Sequence, residues 1–432
     1  MSTGYDTILA NFDKNKDCVN MKKCLLSAVM VLAATAGFGA GFGLYEASSR
    51  GNAMGGALVG KPGDATANYY NPAALTDMTN MSVYAGFTLI NPFCDSKVNG
   101  FGTKRVSQPK MNAGWFFAPT FYLSAPITDD LSVGWGNYAE YGLGTKYKSN
   151  WALAYDTTET TIEQYTLNPN IAYKLTDWWS ISAGLRVSYI TFENRGSPLA
   201  GLPIPGTSLR SHLKGTDWGM GYMLGTKFKI TERLHAGVVY RSRIDHTIKG
   251  DFDVNGNLGS THGPASAKLA LPASVTTGIN WDITDDWRVG ATIIWTEWRS
   301  VDTINFKLPA TYSYTEKLKF DNAFRYGMGT EYDFTDWLQG RLGYVYDLDP
   351  SHEKHGTTML PAGDRHIAAT GLGFKLTDNL RLDVGLSFIF MERSSRDIRD
   401  RNAYKVGQSR THHWECRNSF SYLVSAGLTY NF

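Results

Sequence analysis

The chain has 432 residues, and its 42 basic and 40 acidic side chains leave a formal net charge of only +2. Such a near balance argues against nucleic acid as a partner. Aromatic residues reach 13% and glycines number 44, yet no stretch after residue 44 holds the roughly 18 uninterrupted apolar residues that a membrane helix needs. This combination is expected of a transmembrane β-barrel, because its lipid-facing and lumen-facing residues alternate and cancel in a hydropathy average.

Residues 21–39 carry the features of a secretory signal peptide. Two lysines precede a short apolar stretch, and Ala34-Thr35-Ala36 fits a cleavage site, so we expect cleavage near residues 36–40. Residues 1–20 are polar and precede this signal. We interpret them as a segment upstream of a true start at Met21, the alternative being an unusually long n-region.

Only two cysteines, Cys94 and Cys416, remain after the expected cleavage. An oxidising compartment would permit one disulfide between them. The sequence leaves open whether they meet.

Residues 40–79, between the signal and the first strand, show no strand alternation and are rich in glycine and alanine. The segment opens on Ala40-Gly41-Phe42 and contains Asn71-Pro72-Ala73 near its end. Proline fixes φ and removes a backbone donor. We therefore expect one defined turn at the exit from this segment.

A short element, an apolar residue followed by Thr and an acid, recurs six times with successive threonines 42 to 55 residues apart. Its copies are Ile127-Thr128-Asp129, Leu175-Thr176-Asp177, Ile230-Thr231-Glu232, Ile283-Thr284-Asp285, Phe334-Thr335-Asp336 and Leu376-Thr377-Asp378. Thr and Asp side chains can bond their own backbone in a tight turn. The spacing is too irregular for a solenoid and favours strand pairs joined by short periplasmic turns and variable outer loops.

Six such turns join twelve strands, and one further strand at each terminus brings the count to fourteen. The sequence thus predicts an all-β protein, a 14-stranded antiparallel transmembrane barrel over residues 80–432 with both termini in the periplasm. A barrel of this size leaves a lumen wider than side chains can fill. Residues 40–79 are expected to plug it as an N-terminal hatch, the alternative being a periplasmic tail.

The last predicted strand, residues 420–432, alternates aromatic or aliphatic side chains on one face with small polar ones on the other. It ends on Phe432. A terminal aromatic of this kind resembles the signal recognised by the outer-membrane assembly machinery, so we expect Phe432 to direct assembly.

Several motifs are similar to the FadL/TodX family of outer-membrane transporters, and they cover almost the whole mature chain in order. They are the Ala40-Gly41-Phe42 opening, Asn71-Pro72-Ala73, GWGNYAEYGLGTKY at 134–147, LNPNIAYKLTD at 167–177, GVVYRSRIDHTIKGDF at 237–252, LALPASVTTGINW at 269–281 and LPAGDR at 360–365. The resemblance implies passive uptake of long-chain fatty acids or other hydrophobic compounds such as aromatic hydrocarbons. It further implies a hatch that includes Phe42, Asn71, Pro72 and Ala73, capture by outer loops, and release through a lateral opening in the wall.

The third outer loop, predicted over residues 193–216, is unusually apolar for a connection that faces water. Its apolar residues are Leu199, Leu202, Ile204 and Leu209. Exposed apolar patches commonly mark binding sites. The resemblance places ligand capture between this loop and the fourth, predicted over residues 248–267; the alternative is a small core within the loop.

Alternation places eight arginines on the lumen face, most of them expected to form structural ion pairs. They are Arg186, Arg241, Arg243, Arg288, Arg325, Arg341, Arg365 and Arg381. A fatty carboxylate buried in an apolar pocket would need a cation, because an unpaired buried charge is very unfavourable. Arg186 is the candidate, since its strand also carries lumen-facing Ile190 and Phe192.

An irregularity in the third strand predicts the lateral opening. Leu131, Val133 and Trp135 point outward, and Asn137 then falls on the lipid face, with Gly134 and Gly136 nearby. An unpartnered amide in hydrocarbon is unfavourable by roughly 1–3 kcal/mol, and glycines inside a strand often mark a bend. We expect an inward kink here, unless Asn137 lies above the hydrocarbon in the headgroup zone.

These features predict a monomeric bacterial outer-membrane transporter for long-chain fatty acids or related hydrophobic compounds, without cofactor, metal or energy coupling. Lipid, lipopolysaccharide and the assembly machinery are its expected partners. An enzyme is not favoured, because no GxSxG motif occurs and His412 and His413 have no acid at ligand spacing. The alternatives are a general porin for polar solutes and a surface adhesin or phage receptor, and the sequence leaves the ligand open.

Overall fold

The computed structural model describes residues 41–99, 110–197, 209–257, 259–309, 313–399 and 411–432. The expected signal peptide and the twenty residues before it lie outside this part of the chain. So do Leu199, Leu202 and Ile204 of the third outer loop.

Two short α-helices and a 3₁₀ helix precede the strands: α1 (Ser49–Ala53), α2 (Ala67–Tyr70) and the 3₁₀ helix Pro72–Asp77. The strands are β1 (Ser82–Asn99), β2 (Lys110–Asn112), β3 (Phe116–Pro126), β4 (Leu131–Tyr138), β5 (Gly142–Lys146), β6 (Glu159–Thr176), β7 (Trp179–Gly196), β8 (Leu209–Lys229), β9 (Leu234–Arg241), β10 (Ile244–Gly256), β11 (Gly259–Leu271), β12 (Ser274–Asp282), β13 (Trp287–Thr296), β14 (Thr303–Lys307), β15 (Ser313–Lys317), β16 (Ala323–Asp333), β17 (Leu338–Asp347), β18 (Arg365–Lys375), β19 (Leu380–Met391), β20 (Ser394–Arg399) and β21 (Thr411–Asn431). Single-turn 3₁₀ helices occur at Trp298–Ser300 and Glu353–His355. None of the described helices is both long and apolar enough to cross a membrane.

Fourteen of the described strands form a closed antiparallel wall, which confirms the predicted strand number. Their order is β1, β3, β4, β6, β7, β8, β9, β12, β13, β16, β17, β18, β19 and β21. The ring closes where β21 pairs with β1, from Ser82 opposite Asn431 to Asn99 opposite His413. Closure pairs the first and last described strands with each other, so neither is left as a free sheet edge in the lipid.

The six predicted turns connect neighbouring wall strands. In five of them a threonine hydroxyl accepts a hydrogen bond from the amide three residues later. In the first, the Thr128 hydroxyl accepts a hydrogen bond from the Leu131 amide at 3.0 Å, and the Ile127 amide donates to the Leu131 carbonyl at 2.8 Å. The same threonine contact recurs in the turns at Thr231, Thr284, Thr335 and Thr377. Each turn therefore satisfies its own backbone within a few residues.

Alternation along β8 illustrates why the wall suits lipid on one side only. Trp218, Met220 and Tyr222 are 62%, 72% and 50% exposed, while Gly219 and Gly221 between them face inward and contact other side chains. Outward apolar residues and inward small or polar ones are the pattern of a membrane barrel.

The prediction that residues 248–267 form the fourth outer loop is wrong, because most of them lie in two strands. Residues 244–256 and 259–271 form the hairpin β10–β11, which extends the wall above β9 and β12. Burial alternates along it, with Ile244, His246 and Ile248 inward and polar residues outward. Because its outward face meets water or headgroups rather than hydrocarbon, this sequence lacks the apolar outer face that identified the other strands.

Cys94 and Cys416 are joined by a disulfide, with their Cα atoms 6.5 Å apart. The bond links β1 to β21, the two strands at which the barrel closes, across 322 residues of sequence. Both cysteines lie in a buried cluster with Met111, Trp151 and Trp414. The disulfide therefore ties the closing seam to the packed outer end of this side of the barrel.

Deleting Phe432 should lower the amount of folded barrel in the outer membrane. Phe432 directly follows β21, and its amide donates to the Met81 carbonyl at 2.9 Å, while its ring is 57% exposed and adds nothing to a buried core. Its expected role is in assembly, measured as heat-modifiable protein in isolated outer membranes. Phe432→Tyr, which keeps the aromatic end, should assemble normally; unchanged levels after the deletion would contradict the role.

Candidate functional site

The N-terminal segment (residues 41–78) lies against lumen-facing glycines of the wall. A Cβ atom at Gly329 would stand 2.3 Å from the Met54 carbonyl oxygen, and one at Gly327 would stand 2.3 Å from the Gly55 oxygen. Gly290 approaches the Ala57 oxygen just as closely. A side chain at any of these positions would collide with the segment, and only glycine lets the two backbones approach so closely. We call these three wall glycines the seat of residues 54–57.

Buried ion pairs hold the segment at its periplasmic side. Arg50 donates from Nε to Glu331 at 2.9 Å, and Asp64 accepts from Arg381 at 2.6 Å. Arg341 contacts both Glu331 and Asp383, at 2.5 and 2.7 Å. This network joins α1 and the chain after it to β16, β17 and β19. Removing one member would leave a buried charge uncompensated, which is strongly unfavourable.

Pro72 and Ala73 begin the 3₁₀ helix Pro72–Asp77, and Asn71 precedes it as the N-cap. The Asn71 side chain accepts from the Ala73 amide at 3.2 Å and caps the helix. Its Nδ2 donates to the Val59 carbonyl at 3.1 Å and to the Thr226 carbonyl of β8 at 3.0 Å. Asn71 is fully buried, so one side chain fastens the exit of the segment to the wall.

The third wall strand is interrupted at residues 139–141, between β4 and β5. Asn137 forms the last ladder pair with β3, opposite Phe121. Residues 116–120 of β3 continue along β1 and have no register partner in β4 or β5. Gly134 faces Asn68 of the N-terminal segment, and Gly136 lies against the Tyr138 ring. The break therefore begins just beyond the residues that the sequence singled out.

The start of the N-terminal segment bonds to this interruption. The Leu44 amide donates to the Glu140 carbonyl at 2.8 Å, and the Gly142 amide donates to the Phe42 carbonyl at 2.9 Å. The Phe42 ring contacts the Trp298 ring edge-on, with centroids 5.1 Å apart. Phe42 thus joins the wall break to an aromatic cluster inside the lumen.

A second interruption lies between β8 and the β9–β10 strand. Residues 217–222 of β8 pair with β7 on one side but have no ladder partner in β9 or β10, between Met223 opposite Arg241 and Thr216 opposite Lys249. The 242–248 stretch lies over the inner face of β8, where His246 contacts Ser188 of β7 at 3.1 Å. The break shifts the alternation by one residue, so Arg243 is exposed and its predicted place in the lumen is wrong.

Glu140, at the first interruption, binds two arginines inside the barrel. Arg186 donates to its carboxylate from Nη2 at 2.6 Å, and Arg241 Nε lies 3.3 Å from its other oxygen. Arg186 also donates to the Ser242 carbonyl at 2.7 Å. All three charged side chains are less than one tenth exposed. The candidate cation Arg186 is therefore already paired, and the cluster of two arginines and one glutamate keeps one net positive charge.

A small cavity of about 50 Å³ adjoins this cluster. Its lining includes Tyr45, Tyr69, Glu140, Arg241 and Arg325. Arg325 pairs with Asp347 at 2.8 Å and lies 4.3 Å from the centroid of the Tyr45 ring. Small-molecule sites commonly span ~300–1,000 Å³, so this cavity must enlarge to hold a long acyl chain.

Above the cavity, the outer half of the lumen is a continuous apolar cluster. It extends from Leu213 near the outer end to Phe42 and Trp298 beside the cavity, through Phe192 and Phe306. Leu209, the one described residue of the four apolar capture candidates, begins β8 four residues before Leu213 and is half-buried.

Sequence reasoning missed Glu140, Tyr45 and Trp298. Glu140 is the one acid within GWGNYAEYGLGTKY, and its place next to the glycine-rich stretch of a strand was an available signal. Tyr45 lies in irregular chain and Trp298 in a single-turn 3₁₀ helix, where no alternation assigns a face. Within the described ranges, no group of His, Cys, Asp and Glu side chains could hold a metal ion.

Comparison with known proteins identifies the family. Residues 30–432 match the model of the outer membrane protein transport protein family (OMPP1/FadL/TodX). The chain belongs to the FadL/TodX family. Membership places this protein in the outer membrane, as the sequence predicted.

Curated relatives and solved structures agree with this family assignment. The long-chain fatty acid transport protein of Escherichia coli O6:H1 is 25% identical over 85% of this chain and 90% of its own. Outer membrane protein P1 of Haemophilus influenzae is 24% identical over 84% of this chain and 89% of its own. The crystal structure of a Pseudomonas aeruginosa FadL homologue has a TM-score of 0.81 at 22% identity and covers 91% of this chain and 100% of that one. The crystal structure of the Pseudomonas putida toluene transporter TodX has a TM-score of 0.69 at 17% identity and covers 92% of this chain and 99% of that one. Both structures share the barrel fold of this FadL/TodX-family protein.

Proposed function

We propose that this protein imports long-chain fatty acids or related hydrophobic compounds passively across the outer membrane. The observation that carries the proposal is the apolar cluster that leads from Leu213 to Phe42 and ends beside the cavity, the paired arginines and a break in the wall. The names of the relatives support the same class of ligand, since they include a long-chain fatty acid transport protein and a toluene transporter. They are transport proteins rather than enzymes.

The route begins at the outer loops, where Leu199, Leu202, Ile204 and Leu209 would capture the ligand. From there it follows the apolar lining past Phe192 and Phe306. Moving an acyl chain from water into this lining is favourable by about 0.8 kcal/mol per buried CH₂ group. The wall itself therefore supplies the driving force for entry, and no energy coupling is needed.

A fatty carboxylate would stop at the Glu140 cluster. Arg241 lines the cavity and shares Glu140 with Arg186, so the ligand carboxylate can replace Glu140 as the partner of one arginine. The excess positive charge of the cluster favours an anionic headgroup over a neutral one. Arg186 would act mainly by holding Glu140 and the Ser242 carbonyl.

Release would require the N-terminal segment to move, and here it acts as a hatch. Phe42 and Leu44 bond to residues 140–142 at the wall break, and the same segment covers the cavity through Gly43, Tyr45 and Gly55. Displacing the segment would therefore enlarge the cavity and also open the gap between β3 and the break that follows β4. Gly134, Gly136 and Asn137 border the proposed lateral exit.

Gly136→Arg should block uptake of a labelled long-chain fatty acid in cells that lack other carriers of this ligand. A side chain at position 136 meets the Tyr138 ring at 2.9 Å and the Tyr122 ring at 3.4 Å, so an arginine would crowd the border of the gap. Uptake should fall at least about tenfold, while ligand still copurifies with the protein and is found by mass spectrometry. Ser260→Arg, an exposed change on β11, is the matched control.

Two results would contradict the proposal. Normal uptake by a correctly folded Gly136→Arg barrel would place the exit elsewhere. Steady ion conductance of the unmodified protein in planar bilayers would instead indicate a general porin, because a polar-solute channel must hold a continuous water path.

A further inference from the structure

Three outward lysines on adjacent outer strands form a basic patch (Lys249, Lys268 and Lys307) that the transport pathway does not use. Lys249 of β10 is opposite Ser266 of β11, and Ser266 is opposite Lys307 of β14. Lys268 lies two residues from Ser266 on the same face. Neighbouring strands are about 4.8 Å apart and diagonal neighbours about 7–8 Å. The three ammonium groups therefore project from one small area of the wall.

Of the two nearest acids, Asp245 is paired with Arg243 at 2.5 Å, and Asp251 is opposite Lys214 of β8 in the strand register. No described carboxylate lies within ion-pair distance of Lys249, Lys268 or Lys307, and all three side chains are exposed. Like charges this close repel one another, so an anionic partner would stabilise the patch.

Hydroxyl and amide groups fill the spaces between the lysines. Thr216 and Ser266 flank Lys249 across the sheet, and Thr247 and Asn305 flank Lys268. Such donors complement the ammonium groups in binding phosphate oxygens, because phosphate accepts several hydrogen bonds at once.

The height of the patch on the barrel selects a lipid headgroup as the partner. Trp218, 62% exposed on the lipid face of β8, lies ten residues from Phe228 at the periplasmic end. A membrane-spanning strand needs about 9–11 residues, and aromatic girdles mark both interfaces, so Trp218 marks the outer one. Lys249 is opposite Thr216, the next outward residue beyond Trp218. The patch therefore stands at the level of the outer-leaflet headgroups.

We infer that this patch binds the phosphate groups of an outer-leaflet glycolipid of the lipid A type. The inference depends on the outer-membrane location of the protein and not on which ligand is transported. A glycolipid bound there would cover the outer face of the β10–β11 hairpin beside the second wall interruption.

The test titrates the full-length protein in detergent with purified bisphosphorylated lipid A and follows binding by native mass spectrometry. The triple variant Lys249→Gln, Lys268→Gln, Lys307→Gln should bind at least about tenfold more weakly, since each of the three basic residues attracts the anionic headgroup. The matched control Lys97→Gln, Lys110→Gln, Lys148→Gln removes the same charge from another side of the barrel and should bind normally. Replacing the three patch lysines with arginine should also preserve binding.

Three outcomes would overturn the inference. Equal binding by the glutamine triple and the unmodified protein would show that the patch is not the site. Equal loss in the control triple would reduce the effect to net charge. Equal binding of dephosphorylated lipid A, or displacement of lipid A by an equal concentration of inorganic phosphate, would show that the headgroup phosphates on a lipid are not what is recognised. Heat-modifiability of every variant reports its folding.

Discussion

Gly329→Leu should open the lumen while the barrel still forms. The Cβ of the new side chain would stand 2.3 Å from the Met54 carbonyl oxygen, and a backbone atom cannot rotate away as a flexible side chain can. Overpacking of this kind is unfavourable by roughly 1–3 kcal/mol, and the segment can relieve it by leaving its seat. Ion conductance in planar bilayers should rise from near zero to a steady current.

The wall should be unaffected, because β16 pairs with β13 and β17 through its backbone. Ala291→Leu is the matched control: it introduces the same side chain on the neighbouring strand β13, but on the exposed, lipid-facing side. Heat-modifiability should be normal in both variants. If Gly329→Leu remains closed to ions, residues 54–57 are not the barrier in the lumen.

The strand count was predictable because each inner turn is a local structure. The Thr128 hydroxyl bonds to an amide three residues later, so its signature is complete within one short stretch of sequence. The closed ring then follows from counting. The β10–β11 hairpin has no comparable local signal. Its outward face is polar because it lies beyond the hydrocarbon, so the sequence does not show the apolar alternation of a membrane strand.

The candidate site depends on contacts between distant strands, and these were not predictable. Arg186 was correctly assigned to the lumen, but its partner Glu140 lies 46 residues away, in the break between β4 and β5. Arg243 was misassigned because the break after Arg241 shifts the alternation, and a break cannot be located from alternation alone. Cys94 and Cys416 are 322 residues apart in sequence, and closure of the barrel is what brings them together.

Glu140→Gln should lower the stability of the barrel and change its preference between ligands. The substitution keeps the shape of the side chain but leaves Arg186 and Arg241, both less than one tenth exposed, without a negative partner. Breaking a buried pair in this way is unfavourable by about 3–5 kcal/mol. The temperature at which the heat-modifiable form unfolds should therefore fall. Glu159→Gln is the control, because its partner Lys146 is 58% exposed and exposed pairs contribute only about 0–1 kcal/mol.

The same substitution separates the structural role of the cluster from its proposed ligand role. With Glu140 neutral, two guanidinium groups are available beside the cavity, and a ligand carboxylate no longer has to replace an acid. Binding of a long-chain fatty acid to the purified protein should strengthen relative to its methyl ester by at least about tenfold, or 1.4 kcal/mol. The ester is the internal control for acyl-chain contacts, which both ligands share. If the variant is less stable but the ratio of the two affinities is unchanged, the arginines hold the wall together without contacting the carboxylate, and the headgroup must bind elsewhere in the lumen.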